Sequence, residues 1–319
     1  MIRYRPGIVR VLVALTLFLT VNGFVSAGPT YSQIISFGDS LTDVGNDYFL
    51  SGNTQPPSSL GYDNGRASNG PLWVEDLATK LGIAAPTPSL LGGTDYAYGG
   101  ATASPLNTGV PNLGQQVQSY LNTAHTADPK ALYTVLAGAN DFFGNDTNAA
   151  SVAGYVSSAV STLLAAGAKT VLVPNLPAQG LTPYGRSLGP TGSAALSNLD
   201  AAFNVDLAAD LASLRAANPT ASIISLDLSG LLTQLLADPG AFGITNTTDE
   251  AILAVNGGQN INPNQYLFWD DVHPTAAGHM FIADAAFRVV VPEPTGLTLA
   301  GIAIGGVAVR VARRRAVVR

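Results

Sequence analysis

The chain has no cysteine in 319 residues. This excludes a disulfide framework, a thiol nucleophile and any thiolate metal site, so stability must come from a packed core. Charge is also scarce, at 11% of residues, and the basic part of it is concentrated at the two ends. Arg3, Arg5 and Arg10 stand at the start, and Arg310, Arg313, Arg314, Arg315 and Arg319 at the finish. Residues 28–293 are left with seven Lys and Arg against all twenty-one Asp and Glu, a formal charge of −14. So acidic a segment repels nucleic acid and anionic membrane surfaces. Only three histidines exist, and no His-x-His pair accompanies Asp39, Asp43, Asp270 and Asp271, which argues against a metal-dependent phosphatase. The two tryptophans, Trp73 and Trp269, do not suggest the aromatic face of a sugar-binding module. No internal repeat is evident.

What is present is 47% hydrophobic residues, enough to bury a large core. The apolar run Val11 to Val25 follows the first arginines and ends in Val25-Ser26-Ala27. A basic start, a short apolar stretch and a small-residue site read as an export signal cleaved after Ala27. A retained anchor is the alternative, but the run is short against the roughly 20 residues a span needs. At the other end Val291-Pro292-Glu293-Pro294 precedes a Gly/Ala-rich apolar stretch, Gly296 to Val309, and then the arginine cluster. About 14 residues at about 1.5 Å each are marginal for a permanent span. This Pro-Glu-Pro, apolar, arginine order resembles the PEP-CTERM sorting signal. The resemblance implies processing by an exosortase-type enzyme and delivery to the exterior of a Gram-negative-type bacterium; an ordinary C-terminal anchor is the other reading. The expected plan is an export signal over 1–27, one globular domain over 28–291 and a sorting tail over 292–319.

Within the globular part, short β-rich runs alternate with longer helical patterns. Strands are expected at Ile34 to Phe37, Leu132 to Leu136, Thr170 to Val173 and Ser222 to Leu226. Helices are expected at Pro71 to Leu81, Leu113 to Thr123, Ser151 to Ala166, Ala194 to Ala217 and Pro274 to Val290, where apolar residues recur at three and four, as Leu196, Leu199, Phe203, Leu207 and Leu211 do. Such alternation predicts a parallel sheet covered by helices. Two Gly/Pro/Asn/Ser-rich stretches, Ser51 to Asn69 and Pro86 to Asn112, read as loops able to wall a cleft.

In an open parallel sheet, ligands meet the loops at the carboxyl ends of the strands. Ser40 is there, in Phe37-Gly38-Asp39-Ser40-Leu41-Thr42-Asp43-Val44-Gly45-Asn46. Gly38 permits a sharp turn, and a short helix starting near Ser40 would aim N–H groups at an oxyanion beside the hydroxyl. The plain alternative is that Asp39 or Ser40 caps a helix. A serine needs a base, and a base needs an orienting carboxylate. His273 lies three residues after Asp270 in Trp269-Asp270-Asp271-Val272-His273-Pro274, a spacing that can set a carboxylate against Nδ1 and leave Nε2 for the serine. Asp271 would point elsewhere and could cap the helix that Pro274 begins. His125 and His279 read as ordinary surface or packed histidines. Donors for an oxyanion are offered by the unshielded backbone of Tyr96-Ala97-Tyr98-Gly99-Gly100-Ala101-Thr102 and by the amide of Asn140 in Gly138-Ala139-Asn140-Asp141. Read singly, these stretches are equally a tight glycine turn and an Asx-type turn.

Taken together and in order, the four blocks resemble the GDSL family, or SGNH hydrolase superfamily, over roughly Ser32 to Phe287. The segment Gly65-Arg66-Ala67-Ser68-Asn69-Gly70 also looks like the GR-x-SNG stretch of secreted members. The resemblance implies a flavodoxin-like three-layer α/β/α sandwich with a mainly parallel sheet. It implies hydrolysis of carboxylic esters without a cofactor, with Ser40 as nucleophile, His273 and Asp270 as its triad partners, and Ser40, Gly100 and Asn140 as oxyanion donors. One competing motif is Gly185-Arg186-Ser187-Leu188-Gly189, which fits the G-x-S-x-G elbow of α/β-hydrolases. That elbow requires a strand before it and a helix after it, whereas Pro177, Pro183 and Pro190 interrupt the surroundings. The expected function is a secreted esterase or lipase acting on a small-molecule, lipid or polysaccharide ester. A carbohydrate O-acetyl esterase and a non-catalytic protein of the extracellular matrix are the alternatives.

Overall fold

The computed structural model describes residues 30–291 apart from residue 107. The expected export signal and sorting tail therefore lie outside the described residues.

Four strands, β1 (Ile34–Gly38), β2 (Leu132–Leu136), β3 (Thr170–Pro174) and β4 (Ser222–Leu226), form a parallel sheet in that spatial order. The register runs Ile34 beside Leu132, Leu132 beside Thr170 and Thr170 beside Ser222. Every residue of β1 and β2 is buried, as expected of parallel strands covered on both faces. In β4, Ser222 and Ser225 are exposed, which marks the sheet edge.

At the other edge β1 is not bare. Ser36 N–H donates to the Thr94 carbonyl at 3.0 Å, Tyr96 N–H to that of Ser36 at 2.8 Å and Tyr98 N–H to that of Gly38 at 3.2 Å. This short parallel segment sits within the stretch read as the loop Pro86 to Asn112. With it, the spatial order becomes the 2-1-3-4-5 of flavodoxin-like sheets. It escapes a sequence reading because one bridge, Ser36 to Asp95, is all the ladder it has, and glycines flank it on both sides.

The helices are α1 (Asn46–Leu50), α2 (Trp73–Leu81), α3 (Leu113–Ala124), α4 (Ala139–Phe143), α5 (Ala149–Ala165), α6 (Pro183–Ser187), α7 (Gly189–Ala217), α8 (Leu228–Ala237), α9 (Ala251–Asn256) and α10 (Ala276–Val290). α2 packs on α10, and α3, α5 and α7 pack in a row, so the sheet lies between two helical layers. In α7 the stripe Leu196, Phe203, Leu207 and Leu211 is buried and Leu199 packs at its border. That helix starts five residues before the expected Ala194, because Pro190 occupies its first turn, where a missing N–H costs nothing. α10 begins at Ala276 and is capped by Thr275, whose Oγ1 accepts from Gly278 N–H at 3.2 Å. The expected Asp271 cap is therefore wrong: its side chain is exposed, and its backbone carbonyl accepts from Tyr184 N–H at 2.8 Å. A second, two-stranded parallel pair, β5 (Asn246–Glu250) and β6 (Tyr266–Phe268), leads into the loop that carries Asp270 and His273. Its first strand, Asn-Thr-Thr-Asp-Glu, is too polar to be read as one.

Candidate active site

β1 delivers Ser40 through a turn that only glycine accommodates. Gly38 has φ +155°, and a Cβ there would run into the carbonyl oxygen of Leu136 on β2. Buried Gln116 of α3 brackets the same peptide: its Oε1 accepts from Gly38 N–H at 2.9 Å and its Nε2 donates to Gly38 O at 2.8 Å. The expected helix at Ser40 does not form. The N–H groups of Thr42 and Asp43 both donate to the Asp39 carbonyl at 2.9 Å, closing a single turn, and α1 starts only at Asn46. Asp43, not Asp39 or Ser40, serves that start. Its Oδ1 accepts from Gly45 and Asn46 N–H at 2.8 and 2.6 Å, and its Oδ2 from Asp47 N–H at 3.0 Å. The same Oδ2 accepts from Gly99 N–H at 2.9 Å, which ties the glycine turn to the Ser40 loop.

Ser40, His273 and Asp270 meet at hydrogen-bonding distance although 233 residues separate the serine from the histidine. Ser40 Oγ lies 2.7 Å from His273 Nε2, and His273 Nδ1 lies 2.9 and 2.8 Å from the two oxygens of Asp270. With Nδ1–H donating to the carboxylate, Nε2 is the acceptor for the serine hydroxyl. Asp270 Oδ1 also accepts from the N–H groups of Val272 and His273 at 3.0 and 2.7 Å. Its Oδ2 accepts from the Tyr62 hydroxyl at 2.8 Å.

Ser40, Gly100 and Asn140 line one cleft, each placed just beyond an extended segment. The N–H groups of Ser40 and Gly100 donate to nothing among the described residues. Asn140 follows β2, and its Nδ2 donates one hydrogen to the Ala101 carbonyl at 2.9 Å, which fixes the aim of the other. Asp141 beside it accepts from Ala103 and Ser104 N–H at 2.8 and 3.0 Å, holding the chain just beyond the glycine turn.

Electrostatics act on His273 and Asp270 in opposite directions. Burial pulls the His273 imidazolium down, but the Asp270 carboxylate, joined by Asp39 and Asp271, outweighs it and leaves the pKa above the ordinary histidine value. Burial would raise the Asp270 carboxyl, yet His273 and the donated N–H groups hold it below the usual range. Asp39, buried with one oxygen unpartnered, is pushed up to about 6 by burial.

The other sequence candidates stand apart. Ser187 ends the short α6, is exposed, and donates its hydroxyl to the Tyr184 carbonyl at 2.6 Å; no strand precedes it as an elbow requires. His125 is exposed at the end of α3. His279 is wholly buried in α10, accepts from Trp73 N–H at 3.4 Å, and burial drives its pKa down to about 3.

Residue roles that sequence spacing did not reveal are those of Tyr62, Gln116, Asp43 and the pair Ser68 and Asn69. Ser68 Oγ donates to the Pro274 carbonyl at 3.0 Å and Asn69 Oδ1 accepts from Ala276 N–H at 2.8 Å, so the GR-x-SNG segment clamps the chain directly after His273. Asp43 and Ser68 lie inside motifs already marked. Tyr62 had no such signal. The site opens into a cleft of about 340 Å³ whose walls include Gln55, Phe143, Leu176 and Pro177.

The sequence profile described as GDSL-like Lipase/Acylhydrolase matches residues 34–286. A phosphatidylcholine-sterol acyltransferase of Aeromonas hydrophila is 28% identical, over 84% of this chain and 92% of that protein. Esterase EstA of Pseudomonas aeruginosa is 29% identical over 90% of this chain and 51% of its own length, so this chain spans about half of that relative. Among solved structures, an aryl esterase of M. smegmatis superposes with a TM-score of 0.45 at 16% identity, covering 81% of this chain and 97% of the other.

Proposed function

The chain belongs to the GDSL-like lipase/acylhydrolase family and is a carboxylic ester hydrolase, and we propose that it works through Ser40, His273 and Asp270 by way of an acyl-enzyme. The observation that carries this is the unbroken path from Ser40 Oγ through His273 to the Asp270 carboxylate, at 2.7 and 2.8 Å. His273 Nε2 takes the Ser40 proton as Oγ attacks the ester carbonyl. The carbonyl oxygen gains charge and is held by the N–H groups of Ser40 and Gly100 and by the Asn140 amide. As the intermediate collapses, the bond to the alcohol oxygen breaks, and His273 gives its proton to the departing alcohol. Water then enters and loses a proton to His273, and its oxygen attacks the acyl carbon. The acid leaves and Ser40 recovers its proton. Asp270 keeps Nδ1 protonated and stabilises the imidazolium throughout.

A relative named for acyl transfer supports the covalent step, because passing an acyl group to an alcohol or to water begins with the same half-reaction. Asp39, Asp43 and Asp47 line the cleft, which favours neutral esters such as acyl glycerides or acylated polysaccharide over anionic ones. The basic and apolar ends support export and delivery to the cell surface with the help of an exosortase-type enzyme. No helix among the described residues is long and apolar enough to cross a membrane.

The test is hydrolysis of p-nitrophenyl esters by the full chain, compared with Ser40→Ala and Ser187→Ala, with and without chelator. Loss in Ser40→Ala alone, indifferent to chelator, is expected; substantial turnover by Ser40→Ala would refute the assignment.

A further inference from the structure

Beside the nucleophile lies a second, smaller pocket that the reaction as described does not use. Its volume is about 70 Å³. Leu41, the neighbour of Ser40, and Val272, the neighbour of His273, line both this pocket and the main cleft, as does Pro177. Beyond them its walls are Leu231, Leu232 and Leu235 of α8, Phe268 of β6 and Ile282 of α10. The one polar side chain lining it is Thr182, whose hydroxyl is spent: Oγ1 donates to the Gln179 carbonyl at 2.7 Å and accepts from Gly185 N–H at 3.0 Å. Such walls offer water too few partners to hold it and suit an apolar occupant.

We propose that this pocket receives the acyl chain of the substrate, so that the preferred substrates are esters of medium-length fatty acids. The inference rests on Ser40 being the nucleophile. The acyl group, not the alcohol, is the occupant because only the acyl group stays through both half-reactions. The place of the alcohol must be refilled by water, and an apolar pocket would keep that water out. Where one water-sized group takes roughly 10–15 Å³, 70 Å³ receives about five methylenes. Adding the carbons that span from Ser40 past Leu41 gives a chain of roughly six to ten carbons. Each methylene that leaves water for the pocket multiplies kcat/KM about fourfold.

The experiment measures kcat/KM of the full chain on p-nitrophenyl esters from acetate to palmitate, and on acetate esters of lengthening alcohols. With the wild type, the acyl series is expected to climb about fourfold per methylene to roughly eight carbons and then stop, while the alcohol series stays flat. Leu231, half-buried and on the pocket wall, provides two variants. Leu231→Trp fills the pocket and should lower the octanoate-to-acetate ratio at least tenfold; Leu231→Ala enlarges it and should move the optimum to longer chains. An acyl profile that peaks at acetate, a ratio unmoved in both variants, or a length dependence confined to the alcohol overturns the proposal. If Ser40-dependent acetate hydrolysis persists in that case, only the acyl pocket has failed. If no ester is cleaved, the Ser40 reading has failed and the pocket assignment falls with it.

Discussion

Replacing Tyr62 with phenylalanine removes a single hydroxyl, and that hydroxyl rests on the carboxylate that orients His273. The phenol donates to Asp270 Oδ2 at 2.8 Å, and Asp270 is 6% exposed, so water has little access to replace it. A hydrogen bond to a charged acceptor contributes about 1.5–3 kcal/mol. Its loss takes that stabilisation from the charged form and so makes the carboxylate more basic. Asp270 keeps the N–H groups of Val272 and His273 as well as Nδ1–H, and only part of the change passes across one hydrogen bond to the imidazole. His273 should therefore shift upward. The direction follows from its proposed role as the base. His273 must be neutral to accept the Ser40 proton, so kcat/KM rises as pH climbs through its pKa, and a higher pKa moves that limb to higher pH. The plateau kcat should fall less than about tenfold, because Nδ1–H stays held. Tyr62 is not among the residues lining the cleft, so KM should be unchanged. The assay is kcat/KM on one p-nitrophenyl ester from pH 5 to pH 9 for wild type and Tyr62→Phe. An acid limb that stays put or moves down, or a KM that changes while kcat does not, would show that Tyr62 does not act on His273 through Asp270.

Two further predictions concern stability. Gly38→Ala forces a Cβ onto the Leu136 carbonyl at a backbone angle that L-residues avoid; urea unfolding should show a loss of at least ~2 kcal/mol, and a loss below about 0.5 kcal/mol would mean the turn is not tight. Burial pushes Asp39 and Asp43 up to about 6 and Asp200 up to about 7. Carboxyls raised in the folded state stabilise it fully below their unfolded pKa near 3.8 and lose that contribution as pH rises to about 7. The melting temperature should thus be higher at pH 5 than at pH 7.5. Asp200→Asn should flatten part of that fall, since Gln179 can turn its unpartnered Oε1 toward the new amide.

The four main strands and the histidine-bearing loop were legible because their signals are local: short apolar runs in the sheet, and a carboxylate three residues before a histidine. Asn140 and Gly100 stood out as candidates because each follows an extended segment, and both line the cleft beside Ser40. What stayed hidden was set by partners far off in the chain. Tyr62 meets Asp270 across 208 residues, and nothing in Leu60-Gly61-Tyr62-Asp63 marks its tyrosine. The helix expected at Ser40 failed because several residues of that block can cap, and the side chain that caps is Asp43, which also reaches Gly99. Thr275 displaced Asp271 as the cap of α10 for a similar reason. Pro274 suggested the boundary, but the Asp271 backbone is engaged by Tyr184, its side chain is exposed, and Thr275 supplies the cap. The edge segment at Asp95 is held by a side chain as well as by its backbone bonds to β1: Asp95 accepts from Ser36 Oγ at 2.7 Å and Val44 N–H at 2.9 Å, a lock no periodicity records.

The most direct test of Ser40 as nucleophile is to treat the full chain with a fluorophosphonate that phosphonylates activated serines and to locate the adduct by mass spectrometry of its peptides. One adduct on the peptide containing Ser40, appearing in step with the loss of esterase activity and absent from Ser40→Ala, is the predicted result. An adduct on Ser187 or elsewhere, or full ester hydrolysis by a chain carrying the adduct on Ser40, would contradict the account.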